Sequence, residues 1–203
     1  MSRWGRAVGI LAYGSLVDDP GVEIGQLVVE RIESVETPFC VEFARTSRTR
    51  GGAPTLVPVS EGGSRIKGKI LVLEESVSET EAMDMLWRRE TRKEDSGERY
   101  ESPSSYDVNA VVVRRWEDFE ELEVVLYAEI GANISDLDSR KLAELAINST
   151  RSGAGREGKD GITYLIGVKE NGVETPLMPD YESEILRQTG TETLEHARET
   201  LTR

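Results

Sequence analysis

From Val8 to Tyr13 the chain is apolar almost throughout, the pattern of a strand covered on both faces. Ile66 to Leu73 alternates instead, with Ile66, Gly68, Ile70 and Val72 on one face and Lys67 and Lys69 on the other, before turning apolar on both faces near Leu71. Val108–Val113, Val124–Ala128 and Ile162–Val168 are three further apolar runs of strand length. The acidic segment Glu117–Glu121 between the first two reads as a solvated turn. Ala53–Val59 carries two prolines and suits an edge or a loop better than an interior strand. Between Val22 and Glu33 the type stays open, with Leu27-Val28-Val29 and Arg31-Ile32 able to form a second strand.

Helical spacing appears after Ser78. Ser78 and Glu81 form a capping-box pair, and Ala82, Met85, Leu86 and Arg89 fall on one side, which predicts a helix over Glu79–Glu90. Leu137, Leu142, Leu145 and Ala146 supply an apolar side to a second helix over Asp136–Asn148, with Ser135 or Asp136 as its cap. The glycine-rich Ser152–Gly161 is a surface linker or a mobile loop near a site; without a following Lys-Ser or Lys-Thr it is not a phosphate-binding loop. Asp180–Arg187 can begin a final helix, and Thr191–Arg203 is polar enough to fray. The expected organisation is one α+β domain over 1–190 followed by a polar tail over 191–203.

Charge narrows the partners. The formal net charge of -13 repels phosphate backbones and anionic lipid, so neither nucleic acid nor a membrane surface is expected as a partner. The exception is the basic segment Arg45, Arg48 and Arg50, either a solvated loop or a small-anion site, since a guanidinium pairs bidentately with carboxylate. Cys40, in an apolar setting, reads as a buried inert thiol and excludes an intrachain disulfide. The sole histidine, His196, lies in the charged end of the chain, which argues against a His-based triad or a His-rich metal site. No metal or cofactor is expected. The apolar run at the start stops at Tyr13-Gly14, too short for a membrane span or a secretion signal, and the expected location is the cytoplasm.

Three features carry candidate chemistry. Tyr13-Gly14-Ser15-Leu16 ends the first strand in small residues, so its backbone N–H groups can face a ligand, with Tyr13 bordering the pocket. Glu90 falls in the last turn of the predicted helix, where a carboxylate faces the negative end of the dipole, and Trp87 or Met83 can screen it from water. It is a proton acceptor, or an ordinary helix-end carboxylate paired with Arg89 or Arg92. Arg48 or Arg50 can pair with a substrate carboxylate, and Tyr100 either reaches the same pocket or is a packed aromatic. Ser15 serves better as a donor than as a nucleophile, because no Gly-x-Ser-x-Gly elbow surrounds it and no histidine is at hand to activate it.

The segment Ala12-Tyr13-Gly14-Ser15-Leu16, with Pro20-Gly21 following, resembles the opening strand and turn of the gamma-glutamylcyclotransferase-like superfamily, nearest to its ChaC-type branch. That superfamily's second motif, a Leu followed at short range by a glutamate near a helix end, is matched by Leu86-Trp87-Arg88-Arg89-Glu90. The resemblance implies a small mixed β-barrel with flanking helices and no metal, cofactor or covalent intermediate. It also implies cyclisation of a gamma-glutamyl group: the substrate's α-amine attacks its own γ-carbonyl, giving 5-oxoproline and releasing an amine, amino acid or peptide. Under that resemblance Glu90 is the general base and acid, and Tyr13, Gly14, Ser15 and Leu16 hold the substrate. The acidic pair Asp18-Asp19 disfavours glutathione and points to a gamma-glutamyl amine or amino acid. The alternative is a non-catalytic small-molecule binding or regulatory module on the same scaffold.

Overall fold

The computed structural model describes residues 4, 6–105 and 107–203. In chain order the first half contains β1 (Val8–Ala12), α1 (Val22–Gly25), β2 (Val28–Glu36), β3 (Cys40–Ser47), β4 (Ala53–Val59), β5 (Lys67–Leu73) and α2 (Glu79–Thr91). The second half contains β6 (Val112–Phe119), β7 (Leu122–Glu129), α3 (Ser139–Arg151), α4 (Gly153–Arg156), α5 (Gly161–Glu170), α6 (Met178–Thr189) and α7 (Leu194–Leu201). These elements gather into two compact units, 1–37 with 67–131 and 38–66 with 132–203.

The first unit is a five-stranded sheet in the order β2-β5-β1-β7-β6. The unbroken apolar run of β1 puts it in the middle, buried along its whole length, antiparallel to β5 and parallel to β7. Ile10, Leu71, Leu73 and Leu126 on the sheet pack with Ala82, Met85 and Leu86 of α2 in one apolar cluster. Among the described residues the sheet is open: β2 and β6 are its edges, and no ladder joins them. The closed barrel implied by the resemblance is therefore overturned. The physical reason lies in pairing, because β3 and β4, which could have extended the sheet, form a separate two-stranded sheet in the second unit.

The second unit sets that β3–β4 pair with α3 to α7. Phe43 of β3 is fully buried and meets Tyr181 edge-on at 5.3 Å and Tyr164 at 6.2 Å. The run Ile162–Val168, expected as a strand, is part of the helix α5. A short apolar run does not distinguish the two by period; the N-cap does, with Asp160 Oδ1 accepting from the Ile162 and Thr163 N–H groups at 2.9 and 3.0 Å. The cap of α3 is Asp138, two residues beyond Asp136, accepting from Lys141 N–H at 2.8 Å. Residues expected to fray form α7 with Leu194 and Ala197 buried. Cys40 is half-buried at the start of β3, and His196 is exposed on α7.

Two boundaries in the first unit differ from expectation. Strand β6 begins at Val112 because Asp107 turns the chain, accepting Asn109 N–H at 2.8 Å on its side chain and Ala110 N–H at 3.0 Å on its carbonyl. The strand then runs through Glu117 to Phe119, which pairs with Leu122 across a two-residue turn, Glu120-Glu121. Both turn residues have positive φ, 50° and 64°, a conformation that favours Asn-Gly.

Candidate functional site

The site is built where β1 ends. After Ala12 the chain passes through Tyr13, extended, into a single 3-10 turn over Gly14–Leu16. Gly14 has φ of 60°, which glycine adopts without steric cost. The side chain of Leu16 is buried in the core, so only its backbone is available to a ligand. Tyr13 and Ser15 are partly exposed, and the Tyr13 hydroxyl donates to the Ala128 carbonyl at 2.5 Å. That bond ties the turn to the end of β7, the strand lying parallel to β1.

Helix α2 brings the candidate base. Its start follows the expected capping box: Ser78 Oγ accepts from Glu81 N–H at 3.3 Å, and Glu81 Oε2 accepts from Ser78 N–H at 3.0 Å. It closes with Lys93 N–H on the Arg88 carbonyl at 2.8 Å and Arg92 N–H on the Arg89 carbonyl at 3.2 Å, a Schellman closure with Arg92 in the left-handed position. Glu90 therefore lies in the last turn, as its place in the sequence predicts.

The end of α2 is tied to the segment after the turn. Arg89 donates from Nη1 to Glu90 Oε1 at 2.6 Å, and from Nη2 to the Ser15 carbonyl at 3.2 Å and to the Asp19 carbonyl. Its side chain is 10% exposed and that of Glu90 27%. Arg88 forms a forked pair with Glu23, Nε and Nη2 reaching Oε2 at 2.9 and 2.7 Å, and Glu23 also accepts from Asp95 N–H at 2.7 Å. The Arg88 hydrogen bond holds the Glu23 carboxyl below its ordinary range, against an opposing effect of burial. Glu94 accepts from Val22 N–H at 2.8 Å. The close approach needs Gly21, at φ of 78°, where a Cβ would come within 2.3 Å of Glu94 Oε1.

The predicted residues thus separate into groups. Tyr13, Gly14, Ser15, Leu16 and Glu90 belong to the first unit, and Arg89 links Glu90 to the carbonyl of Ser15. Tyr100 belongs to the same unit, with its N–H on Asp84 Oδ1 at 2.7 Å and its hydroxyl accepting from Val113 N–H at 3.1 Å. Its ring meets Trp87 at 6.5 Å, so Tyr100 is a packed aromatic that joins α2 to β6. Trp87 in turn carries the Lys93 ammonium 4.8 Å from its ring. Arg48 and Arg50 belong to the second unit, in a 3-10 turn between β3 and β4. There Arg48 is exposed, while the Arg50 guanidinium lies 4.7 Å from the Tyr164 ring centre.

Arg89 is the residue that sequence reasoning undervalued. Its signal was visible, because it shares the apolar side of α2 with Ala82, Met85 and Leu86, and a cation on a core-facing side requires partners. Among the described residues no group of three or more His, Cys, Asp or Glu side chains is placed to hold a metal ion, and no helix is long and apolar enough to cross a membrane. No protein-family model matches the chain, and no curated protein matches it.

Proposed function

We propose that the chain is a cofactor-independent enzyme of the cytoplasm that cyclises a gamma-glutamyl compound to 5-oxoproline, with Glu90 moving the proton. One observation carries the reading: a single guanidinium, that of Arg89, touches both Glu90 Oε1 and the Ser15 carbonyl, so the two motifs that suggested this chemistry meet at one end of one unit.

In the reaction the neutral α-amine of the substrate attacks its γ-carbonyl carbon. A carbon–nitrogen bond forms, the γ-amide bond breaks, and one amine proton passes through Glu90 to the leaving nitrogen. Nucleophile and electrophile belong to one molecule, so the protein has chiefly to fold the substrate and shuttle that proton. Backbone N–H groups of the Gly14–Leu16 turn suit the substrate carboxylate or the developing oxyanion. The leaving group is an amine or amino acid, since Asp18 and Asp19 are exposed beside the turn and repel a more anionic donor. Arg48 and Arg50 take no part in this reading.

The Arg89–Glu90 ion pair favours a second reading, a module that binds the same compounds without turning them over. Incubating the protein with gamma-glutamyl amines, gamma-glutamyl amino acids and glutathione, and assaying 5-oxoproline beside Glu90→Gln, separates the two. The enzyme reading expects product from at least one donor, reduced about 10²- to 10⁴-fold by the substitution. Binding of a donor without product supports the module, and equal turnover by both proteins removes Glu90 from the mechanism.

A further inference from the structure

We infer that Arg89 is a positioning residue, setting Glu90 against the Gly14–Leu16 turn and leaving Glu90 Oε2 as the oxygen that takes and returns the proton. The inference rests on the cyclotransferase reading and gives a role to a position that neither motif specifies.

Successive residues on a helix point about 100° apart, so an arginine does not meet the glutamate next to it by default. Arg89 reaches Glu90 because its far end is anchored elsewhere: Nη2 is engaged by the carbonyls of Ser15 and Asp19 and Nη1 by Glu90 Oε1. A guanidinium is planar and rigid, so these acceptors are held in one fixed relation. The backbone that receives Nη2 is itself braced. Asp19 N–H donates to the same Ser15 carbonyl at 3.1 Å, and Gly21 N–H donates to Asp19 Oδ1 at 3.2 Å. With its side chain 10% exposed, Arg89 is screened from the water that would loosen these bonds.

This geometry divides the labour between the two carboxylate oxygens. Oε1 is held by the cation and orients the group; Oε2 is left for proton transfer. A lysine supplies charge at that position but, as a single ammonium on a flexible stem, cannot hold the acceptors in one fixed relation. The arrangement therefore calls for arginine specifically.

The test uses the full chain with Arg89→Gln, Arg89→Lys and Glu90→Gln, the gamma-glutamyl donor that the unsubstituted protein turns over best, and amide exchange by NMR. Misplacing a catalytic group lowers turnover by about 10²-fold, so kcat for Arg89→Gln is expected to fall by about that factor with KM within about threefold. Arg89→Lys recovers only part of the loss, and serves alone if the glutamine variant does not fold. The Asp19 amide exchanges faster in Arg89→Gln but near the unsubstituted rate in Glu90→Gln, where Arg89 still holds the turn. Unchanged kcat in Arg89→Gln, a loss confined to KM, full recovery by lysine, or unchanged Asp19 exchange overturns the positioning role while the reaction stands. Absence of 5-oxoproline from the unsubstituted protein with every donor removes the reaction and that role together, and faster Asp19 exchange in Arg89→Gln then marks a structural clamp.

Discussion

In the second unit, Glu42 and Asp160 are 1% and 0% exposed, and neutral donors occupy them. Glu42 Oε1 accepts from Thr175 Oγ1 at 2.6 Å and Phe43 N–H at 2.8 Å, and Oε2 from Leu177 N–H at 3.1 Å. Asp160 accepts from two backbone N–H groups and the hydroxyls of Thr150 and Thr163, with Arg198 Nε 3.9 Å away. In the first unit, Glu90 is partly exposed and meets a cation on one oxygen only. A carboxylate whose lone pairs are taken by fixed donors is an architectural part, joining strand to helix or capping a turn. One held at a single oxygen beside a partly exposed turn keeps a lone pair open.

The same contrast extends to Tyr181, whose hydroxyl is pushed well above its ordinary range by burial first, then by the nearby Asp160 carboxylate. It stays neutral across the physiological range and belongs to the core of the second unit.

The largest expected effect that tests this contrast is on rate. Under the proposed reaction Glu90→Gln should abolish most 5-oxoproline release while moving the urea midpoint little, because a partly exposed ion pair contributes at most about 1 kcal/mol. Loss of fold in Glu90→Gln would put Glu90 in the same class as Asp160. The reciprocal substitution, Asp160→Ala, leaves the Thr163 hydroxyl and two N–H groups without their acceptor, while the Thr150 hydroxyl keeps the Ala146 carbonyl at 2.9 Å. It should cost about 3 kcal/mol in urea unfolding followed by circular dichroism. A cost under about 1 kcal/mol would show that water replaces the carboxylate and that the site is not architectural.

Smaller effects probe the first unit. Glu121→Gly relieves a positive φ in the β6–β7 turn and should raise stability by about 1 kcal/mol, read as a higher urea midpoint. A decrease would mean that the Glu121 side chain outweighs its backbone strain. The smallest effect concerns pH. Glu23 has its carboxyl lowered in the folded state by Arg88, so its contribution is fully present above the unfolded carboxyl value and is lost as pH falls through the folded one. Unfolding measured from pH 6 down to pH 3 should lose up to about 1 kcal/mol from this pair, and Glu23→Gln should flatten that part of the curve. An identical acid slope in the variant would assign the loss to other carboxylates.

Much of the scaffold around the site was legible along the chain. The β1 run, the alternation of β5 and the capping box of α2 are local patterns, and each specifies its element through backbone hydrogen bonding or burial within a few residues. The order Tyr13–Leu16, then Glu90, was legible for the same reason. Strand β3 was not: Arg45 near its end and the arginines of the turn after it resemble a basic loop, although Val41, Phe43 and Ala44 are buried within it. The β6–β7 turn falls inside the acidic segment expected to turn, but β6 runs on through Glu117 to Phe119, because the polar residues of an edge strand carry no apolar signal. Helix α5 was read as a strand because an apolar run of that length satisfies either period until its cap is recognised.

By itself the sequence determined which segments are apolar enough to be central, where α2 begins, and that the early glycine-serine turn and the later glutamate are separated by about 75 residues of chain. Those properties follow from near-neighbour chemistry. Only the tertiary structure decided that the five-stranded sheet stays open, that β1 lies between β5 and β7, and that Arg89 bridges Glu90 to Ser15. Strand pairing and a guanidinium's choice of acceptors depend on groups far apart in the chain, and those meet only when the core has closed around them.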